Sequence, residues 1–520
     1  MKKILIFILP LFVTFSCADL DVLPKTGTPA NFTFTDAAAY RGYIAKIYAS
    51  MSLTGQDGPA GQGDISIIND EGFTSYIRAY WKAQELPTDE AVIAWNDAGI
   101  QDLNTHTWSS DNQFVRVLYY RIYYLIALSN DFLRQSTVES MAANGVPTED
   151  YAEIQQYRIE ARFLRALGYW HALDLFGNVP LITTIRSDNP DQNTQEDIFN
   201  FIISELNDIE DDMVDARANE YGRADKAALW MLRAKVNLNA AEVYVGEDHY
   251  AEVIADCEKI IAAGYTLEPE YSNLFNADNH NSDELIFTLP ADGVNSTSWG
   301  TTTFLVHAAV GGTVMAPADY GIDGGWGGLR TTKVMVEKFD DISGDTDSRA
   351  NFFTEGQALE IEDLRVFEDG YAVPKYSNIT STGAVGSNLT HVDTDYPMFR
   401  LGDAYLMYAE ANLRGGGGSR ATALGYINEL RERAYGDASG NIADADLTLD
   451  FILDERLREM YWEATRRIDL IRYGQFTTEG VWPWKGNVAA GTTTDAKYRL
   501  FPIPAFELSA NPKIKQNDGY

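Results

Sequence analysis

Residues 150–181 read DYAEIQQYRIEARFLRALGYWHALDLFGNVPL and give the strongest indication of the fold class. Apolar or small residues recur in steps of three and four from Ile154 to Leu175, the spacing that gives a helix one buried stripe. A second apolar stripe contains Phe163 and Trp170. A helix that is apolar on two sides is usually packed between neighbours. The stretch therefore predicts a long helix inside a layered helical scaffold.

Signals for both ends of this helix flank the periodic residues. Asp150, followed three positions later by Glu153, predicts a capping box at the start. Gly177, followed by Pro180, predicts the end, because glycine closes helices and proline does not continue them.

The same periodicity predicts further helices over residues 113–135, 195–213, 225–244, 249–263, 402–413, 421–435 and 450–472. Short turns between consecutive helices favour antiparallel hairpins, and stacked hairpins make a solenoid. The hairpins resemble tetratricopeptide repeats, but their starts do not keep a period of about 34 residues, so insertions interrupt the array. Cys257 lies on the apolar stripe of its helix and is predicted to be a buried, structural thiol.

Two stretches, about 54–108 and about 265–399, differ in character from the helical regions. Gly, Thr, Asn, Asp and Ser crowd them, and sustained helical periodicity is nearly absent. Loop regions of such length are usually functional. Trp81 and Trp108 flank helical-looking segments and are predicted to pack in the interior.

The charge balance excludes one class of partner. The chain has 41 Lys and Arg against 76 Asp and Glu, a formal net charge of −35, which disfavours nucleic acid and other polyanions. Neutral or cationic partners are expected. The acidic neighbours Asp89 and Glu90, and also Asp340 and Asp341, are predicted to be solvated surface.

The sequence shows no recognisable catalytic or metal-binding motif. It contains no G-x-S-x-G elbow, P-loop, G-x-G-x-x-G or H-E-x-x-H motif, its six histidines are scattered, and it has only two cysteines. No metal and no cofactor are predicted. A glycosidase stays open in principle, since it needs only two suitably spaced carboxylates.

The N-terminus has the order of an export signal. Lys2 and Lys3 precede an apolar run over residues 4–13, and Cys17 follows a small residue. The run is too short to span a bilayer and predicts a signal peptide over residues 1–16. Cys17 resembles the lipidated cysteine of a bacterial lipobox, so residues 17–35 are expected to form a membrane-anchored tether before a single domain over 36–520.

Several ordered segments together resemble the SusD/RagB family of Bacteroidetes outer-membrane lipoproteins. They are ARFLRALGYWHALDLFGNVPL at 161–181, GRADKAA at 222–228, YPMFRLGDAYLMYAEA at 396–411, INELRERA at 427–434, ILDERLRE at 452–459, and the ending LFPIP at 500–504 with NP at 511–512 and QNDGY at 516–520. Together with the lipobox at Cys17, the resemblance covers essentially the whole mature chain.

The resemblance implies a mainly α fold, in which tetratricopeptide-like helical hairpins (about 36–53, 109–264 and 400–475) pack against the loop-rich ligand-binding half. It also implies a function: a non-enzymatic, surface-exposed lipoprotein of the outer membrane that captures a neutral oligo- or polysaccharide for a SusC-like TonB-dependent transporter. Arg162, Arg165, Arg456 and Arg458, in the family segments, are interpreted as helix-packing and ion-pair residues.

Sugars expose apolar C–H faces ringed by hydroxyls, so a binding site needs flat aromatic surfaces beside polar groups. The positions that resemble the family's aromatic platform, with their candidate polar partners, are Trp95, Asn96, Trp299, Asp323, Trp326 and Arg330. Three alternatives stay open: a RagB-like peptide-binding lipoprotein, a glycoside hydrolase, and a helical-repeat assembly lipoprotein without a ligand.

Overall fold

A computed structural model of the chain describes residues 33–67 and 70–520. The predicted signal peptide, the lipidation at Cys17 and the tether as far as residue 32 lie outside the described residues.

The helices of the described residues are α1 (Ala37–Ala49), α2 (Tyr76–Glu85), α3 (Gln101–Thr105), α4 (Gln113–Gln135), α5 (Val138–Ala143), α6 (Tyr151–Phe176), α7 (Gln195–Ile209), α8 (Lys226–Leu238), α9 (Tyr250–Ala262), α10 (Thr301–Ala309), α11 (Lys333–Val336), α12 (Leu401–Leu413), α13 (Arg420–Tyr435), α14 (Leu449–Met460), α15 (Arg466–Arg472) and α16 (Ala505–Ala510). The strands are β1 (Gly55–Asp57), β2 (Gly61–Gly63), β3 (Val92–Ile93), β4 (Leu285–Leu289), β5 (Leu329–Arg330) and β6 (Tyr396–Arg400). They form the antiparallel pairs β1–β2, β3–β5 and β4–β6.

The scaffold is a series of helices, each packed on the next. Helix α4 packs on α6, α6 on α7, α8 on α9, α9 on α12, and α12 on α13. Helix α6 is buried continuously from Phe163 to Phe176, as expected for a helix with neighbours on both sides. The central stretch of sequence therefore forms the sandwiched helix that its two apolar stripes predict, and Gly177 ends it with a φ of 69°.

The predicted capping box at the start of α6 is wrong. A 3₁₀ turn over Thr148–Asp150 precedes the helix, and Asp150 already has a helical backbone and makes no side-chain cap. Its Oδ2 instead accepts a hydrogen bond of 2.9 Å from the amide of Ala37, at the start of α1. Glu153 accepts from the hydroxyl of Tyr157. A tertiary contact has replaced the local one.

The helix predicted over residues 450–472 is two helices, α14 and α15. Trp462 and Ala464, between them, have φ values of 62° and 58°, which ends a helix. Oε2 of Glu90 accepts from the Trp462 amide at 3.1 Å, and Oε1 of Glu85 accepts from the Thr465 amide at 3.1 Å. These contacts come from a distant part of the chain, so local periodicity could not reveal the break.

Those contacts also correct the surface prediction for one acidic pair. Asp89 and Glu90 are buried, and Asp89 accepts two hydrogen bonds of 2.7 Å from the guanidinium of Arg466. Asp340 is exposed, as predicted.

The loop-rich half contains two helices, α2 and α10, that its composition does not predict. All residues of α2 and of α10 are buried. The sequence of α10 has no charged stripe, and the stripe of Arg78, Lys82 and Glu85 on α2 faces the interior instead of solvent. Trp81, on α2, is fully buried, and Trp108 is 2% exposed, which confirms that both pack in the interior.

Buried ion pairs join the scaffold to the loop-rich half. The Arg400 guanidinium contacts Glu284, Glu459 and Glu463 at 2.7–2.8 Å. Within the scaffold, Arg456, on α14, pairs with Asp403 and Asp469. Arg162 and Arg165 both pair with Glu205, and Arg458 pairs with Glu455. These ion pairs confirm the structural roles predicted for the four arginines of the family segments.

Within residues 33–67 and 70–520, none of the helices combines the length and apolarity needed to cross a bilayer.

Candidate functional site

Three tryptophans that are far apart in sequence meet on one surface of the loop-rich half. The ring centroids of Trp95 and Trp326 lie 6.3 Å apart, and those of Trp299 and Trp326 lie 6.1 Å apart. All three side chains are half-buried. The ring planes are inclined to each other by 44° and 54°, so this tryptophan cluster is curved rather than flat.

The pairing of β3 with β5 positions Trp95 against Trp326. Val92 lies opposite Arg330 in this pair, and just beyond it the Trp95 indole donates to the Trp326 carbonyl at 3.1 Å. Gly328 is required there, because an added Cβ would lie 2.8 Å from the Trp95 ring. The glycine-rich run before β5 thus allows the two indoles to approach.

Trp299 is held by the start of α10 and by α2. Its carbonyl accepts a 2.8 Å hydrogen bond from Nη1 of Arg78. Its ring contacts the imidazole of His391, with centroids 4.4 Å apart. A Cβ on Gly72 would lie 2.7 Å from the Trp299 ring, so the segment before α2 also closes on this indole.

Arg78 lies behind the cluster. Its guanidinium carbon is 5.5 Å from the Trp95 ring, 5.7 Å from the Trp326 ring and 4.7 Å from the Phe304 ring. Burial lowers its pKa to about 10, so it stays charged at neutral pH. Its Nη2 makes no hydrogen bond within the described part of the chain, which leaves a donor for a ligand.

Two histidines complete the surroundings of the indoles. The His307 ring stacks on Trp326 at 4.7 Å with an interplanar angle of 22°, and its Nδ1 contacts the Gly324 carbonyl at 2.6 Å. Burial lowers the pKa of His307 and of His391 below the ordinary histidine value, so both rings are neutral at pH 7.

Sequence reasoning missed Arg78, His307 and His391. Arg78 and His307 lie on the two fully buried helices of the loop-rich half. Charged and polar residues on a helix ordinarily face solvent, so the sequence does not indicate that these two side chains are buried beside the indoles. The three-dimensional position alone identifies these residues.

The three predicted polar partners, Asn96, Asp323 and Arg330, differ in their exposure to solvent. Asn96 is exposed beside Trp95. Asp323 is exposed at the rim of the cluster and accepts a hydrogen bond from the hydroxyl of Thr390. Both side chains are open to a ligand.

Arg330 corrects the prediction that it contacts ligand. It is fully buried, and its guanidinium donates to the carbonyls of Asp369, Gly328 and Leu364 at 2.9–3.2 Å. Since β5 turns this side chain inward, it braces the loops behind the cluster and has no face for a ligand.

The arrangement offers stacking surfaces and hydrogen-bonding groups together. Curved indole faces can cover apolar C–H groups, while the Arg78 guanidinium, the Asn96 amide and the Asp323 carboxylate can meet hydroxyls.

Comparison with known proteins identifies relatives over the full length of the chain. The chain is 35% identical to the starch-binding protein SusD of Bacteroides thetaiotaomicron, with 99% of this chain and 98% of that protein covered. It is 23% identical to the SusD-like protein P25 of Formosa agariphila, with 99% and 98% covered. The SusD family model matches residues 348–520.

Solved structures share the fold. A SusD superfamily protein from Bacteroides vulgatus superposes with a TM-score of 0.72 at 19% identity, with 94% of this chain and 99% of that chain covered. A surface glycan-binding protein A from Bacteroides thetaiotaomicron, solved in complex with laminarihexaose, gives 0.70 at 19% identity, with 93% and 100% covered. The predicted mainly α fold class is confirmed.

Proposed function

This chain belongs to the SusD family, and we propose that it is a surface-exposed lipoprotein that captures a neutral oligo- or polysaccharide and delivers it to a SusC-like TonB-dependent transporter. The relative at 35% identity is named for starch binding. The proposal places ligand capture at the tryptophan cluster and assigns no bond-breaking step to the protein.

The single observation that carries the proposal is the convergence of Trp95, Trp299 and Trp326. Large indoles that stay partly exposed beside one another are costly to hydrate, so a ligand that covers their exposed surface gains hydrophobic free energy. Saccharides fit because they combine apolar faces with hydroxyls, and the cluster has donors and acceptors at its edge. Arg78 Nη2, Asn96 and Asp323 are the proposed hydroxyl partners.

The shape of the cluster favours a coiled glycan. Rings inclined by 44° and 54° cannot all lie parallel to the faces of a flat chain. They suit a chain whose successive sugar faces turn, as in an α-glucan of the starch type. The starch-binding relative supports the same choice, whereas the structural neighbour bound to laminarihexaose resembles this chain only in fold.

The net charge of −35 supports a neutral ligand. A strongly negative surface repels polyanions such as alginate or pectin and lowers their rate of encounter. A cationic peptide would be attracted instead, so the peptide-binding alternative remains an outcome of the test below.

The anchor and the delivery step rest on the N-terminal sequence and the family. Lipidation at Cys17 would hold the domain at the outer membrane, and the tether over residues 17–35 would let it move relative to a transporter while keeping captured ligand at a high local concentration. The single domain over 36–520 is part of this proposal.

The test is a binding screen of the purified protein. Maltoheptaose, laminarihexaose, cellohexaose, alginate oligomers and a cationic peptide would be compared by isothermal titration calorimetry, and reducing ends would be counted after long incubation with each saccharide. We expect a neutral saccharide to bind, maltoheptaose best, without new reducing ends. Binding of the peptide alone, or release of reducing ends, would overturn the proposal.

A further inference from the structure

A second cleft in the loop-rich half has the chemistry of a saccharide site but shares no residue with the tryptophan cluster. Its volume is about 400 Å³, within the range of small-ligand pockets. Tyr320, Phe352 and Phe353 line it as half-buried aromatic side chains, and Asn276 and Asn351 line it as amides.

The walls of this cleft are fixed by hydrogen bonds. Asn351 Nδ2 donates to the Pro374 carbonyl at 2.9 Å, and the Phe353 amide donates to the Ala372 carbonyl at 2.9 Å. On the other side, the carbonyl of Tyr320 accepts from a backbone amide at 3.0 Å. A preformed cleft spends little conformational entropy on binding.

Aromatic surface in the cleft is free for a ligand. Among the described residues, no other aromatic ring packs on Tyr320 or Phe353. Each of these side chains packs on the core with one part and lines the cleft with another. The cleft therefore has ring surface that only solvent covers.

Hydrogen-bonding capacity in the cleft is also unused. Within residues 33–67 and 70–520, the Tyr320 hydroxyl, the Asn276 Oδ1 and the Asn351 Oδ1 have no hydrogen-bond partner. The set contains a hydroxyl that donates and amide oxygens that accept, which is the combination that sugar hydroxyls need.

The charges at the cleft select against anions. The Lys375 side chain lines it, but its ammonium is buried and lies 2.8 Å from the Glu463 carboxylate. The exposed carboxylate of Asp319 is thus the charge that meets a ligand. An anionic ligand would be repelled, while a neutral one would gain one more acceptor.

We propose that this cleft is a second saccharide-binding site, which holds a short segment of the same neutral glycan that the tryptophan cluster captures. This inference rests on the proposed function, because it takes its ligand class from there. Two sites on one chain bind a polymer more tightly than either alone, since the second contact forms at a high effective concentration.

The experiment is hydrogen–deuterium exchange of the purified protein with maltoheptaose, with laminarihexaose and without sugar. Residues 316–322 and 349–355 report the cleft, and residues 294–300 and 323–328 report the tryptophan cluster. Calorimetry gives the number of oligosaccharides bound, and affinity electrophoresis in amylopectin gives retention on a polymer. Tyr320→Ala is the cleft variant, and Phe506→Ala, which removes a 65% exposed ring elsewhere, is the matched control.

We expect sugar to protect both regions in the unmodified protein, with two molecules bound per chain. Tyr320→Ala should lose protection at 349–355 and retention on amylopectin by about tenfold or more, while oligosaccharide binding at the cluster stays unchanged. Tyr320→Phe keeps the ring and loses the hydroxyl, so its retention on amylopectin should lie between that of Tyr320→Ala and that of the unmodified protein.

The outcomes separate this inference from the proposed function. One bound sugar with protection confined to the tryptophan cluster, or a Tyr320→Ala variant equal to Phe506→Ala, would overturn the second site alone. Protection of the cleft without the cluster would keep the second site and refute the proposed main site. No protection by either sugar would refute both.

Discussion

Replacing Trp326 by alanine should abolish most ligand binding without unfolding the protein. The indole lies at the centre of the cluster, between Trp95 and Trp299. If a sugar covers one face, about 100 Å² of apolar surface at about 25 cal/mol per Å² gives about 2.5 kcal/mol, or about 70-fold in Kd. The Trp326 carbonyl that accepts from Trp95 is kept in the variant, so Trp95 is expected to stay in place.

The assay is calorimetric titration of maltoheptaose, or of whichever neutral saccharide binds best, together with thermal unfolding. Trp230→Ala is the matched control, because Trp230 is also half-buried but lies on the scaffold helix α8, where its indole donates to Glu210. We expect the control to leave Kd unchanged. A Trp326→Ala variant that binds within about twofold of the unmodified protein would refute the reasoning, since an indole covered by sugar must contribute more than this.

Three further predictions concern stability. Arg400→Met should lower the free energy of unfolding by about 3 kcal/mol in urea titration, because it removes the guanidinium that Glu284, Glu459 and Glu463 share and leaves these buried carboxylates to remaining partners that include Arg433 and Lys375; an unchanged midpoint would contradict this. Lys82→Met should raise the unfolding temperature, because the buried Lys82 ammonium has no hydrogen-bond partner among the described residues and burial lowers its pKa. The ammonium lies 4.4 Å from the centroids of the Phe73 and Phe114 rings. A lower unfolding temperature would show that these rings stabilise the charge. Burial raises the pKa of the neighbouring Glu85 and Glu90 carboxyls, so the folded state keeps a proton that the unfolded chain loses above about pH 4.3. The contribution of this proton to the free energy of unfolding is therefore complete below that pH and is lost as pH rises toward neutral. Glu85→Gln should remove this part of the pH dependence of stability. Parallel plots of unfolding free energy against pH for the variant and the unmodified protein would contradict the assignment of the proton to this pair.

The sequence predicts the scaffold well because apolar residues recur along its helices in steps of three and four. Helix α4 begins and ends at the predicted residues, Gln113 and Gln135, and α6 ends at the predicted glycine. The predictions fail where distant residues decide the backbone. The break after Met460 depends on Glu85, at the end of α2, and on Glu90, in the segment that follows it, and Asp150 turns to another helix instead of capping its own.

At the candidate site too, the sequence predicts some residues, while contacts between distant segments decide the others. The sequence and the family resemblance select Trp95, Trp299 and Trp326, because tryptophan among glycine and polar residues has no local core to join. They do not select Arg78 or His307, because burial of these polar side chains inside α2 and α10 is decided by the packing of distant segments. They also give no sign that Arg330 points inward, since that depends on the carbonyls of loops far along the chain.

A crystal structure of the protein with the neutral oligosaccharide that binds best would show whether the tryptophan cluster holds the ligand. We expect sugar rings to lie against Trp299 and Trp326, with a hydroxyl within hydrogen-bonding distance of Arg78 Nη2. A bound, uncleaved saccharide that touches none of the three indoles would contradict this expectation.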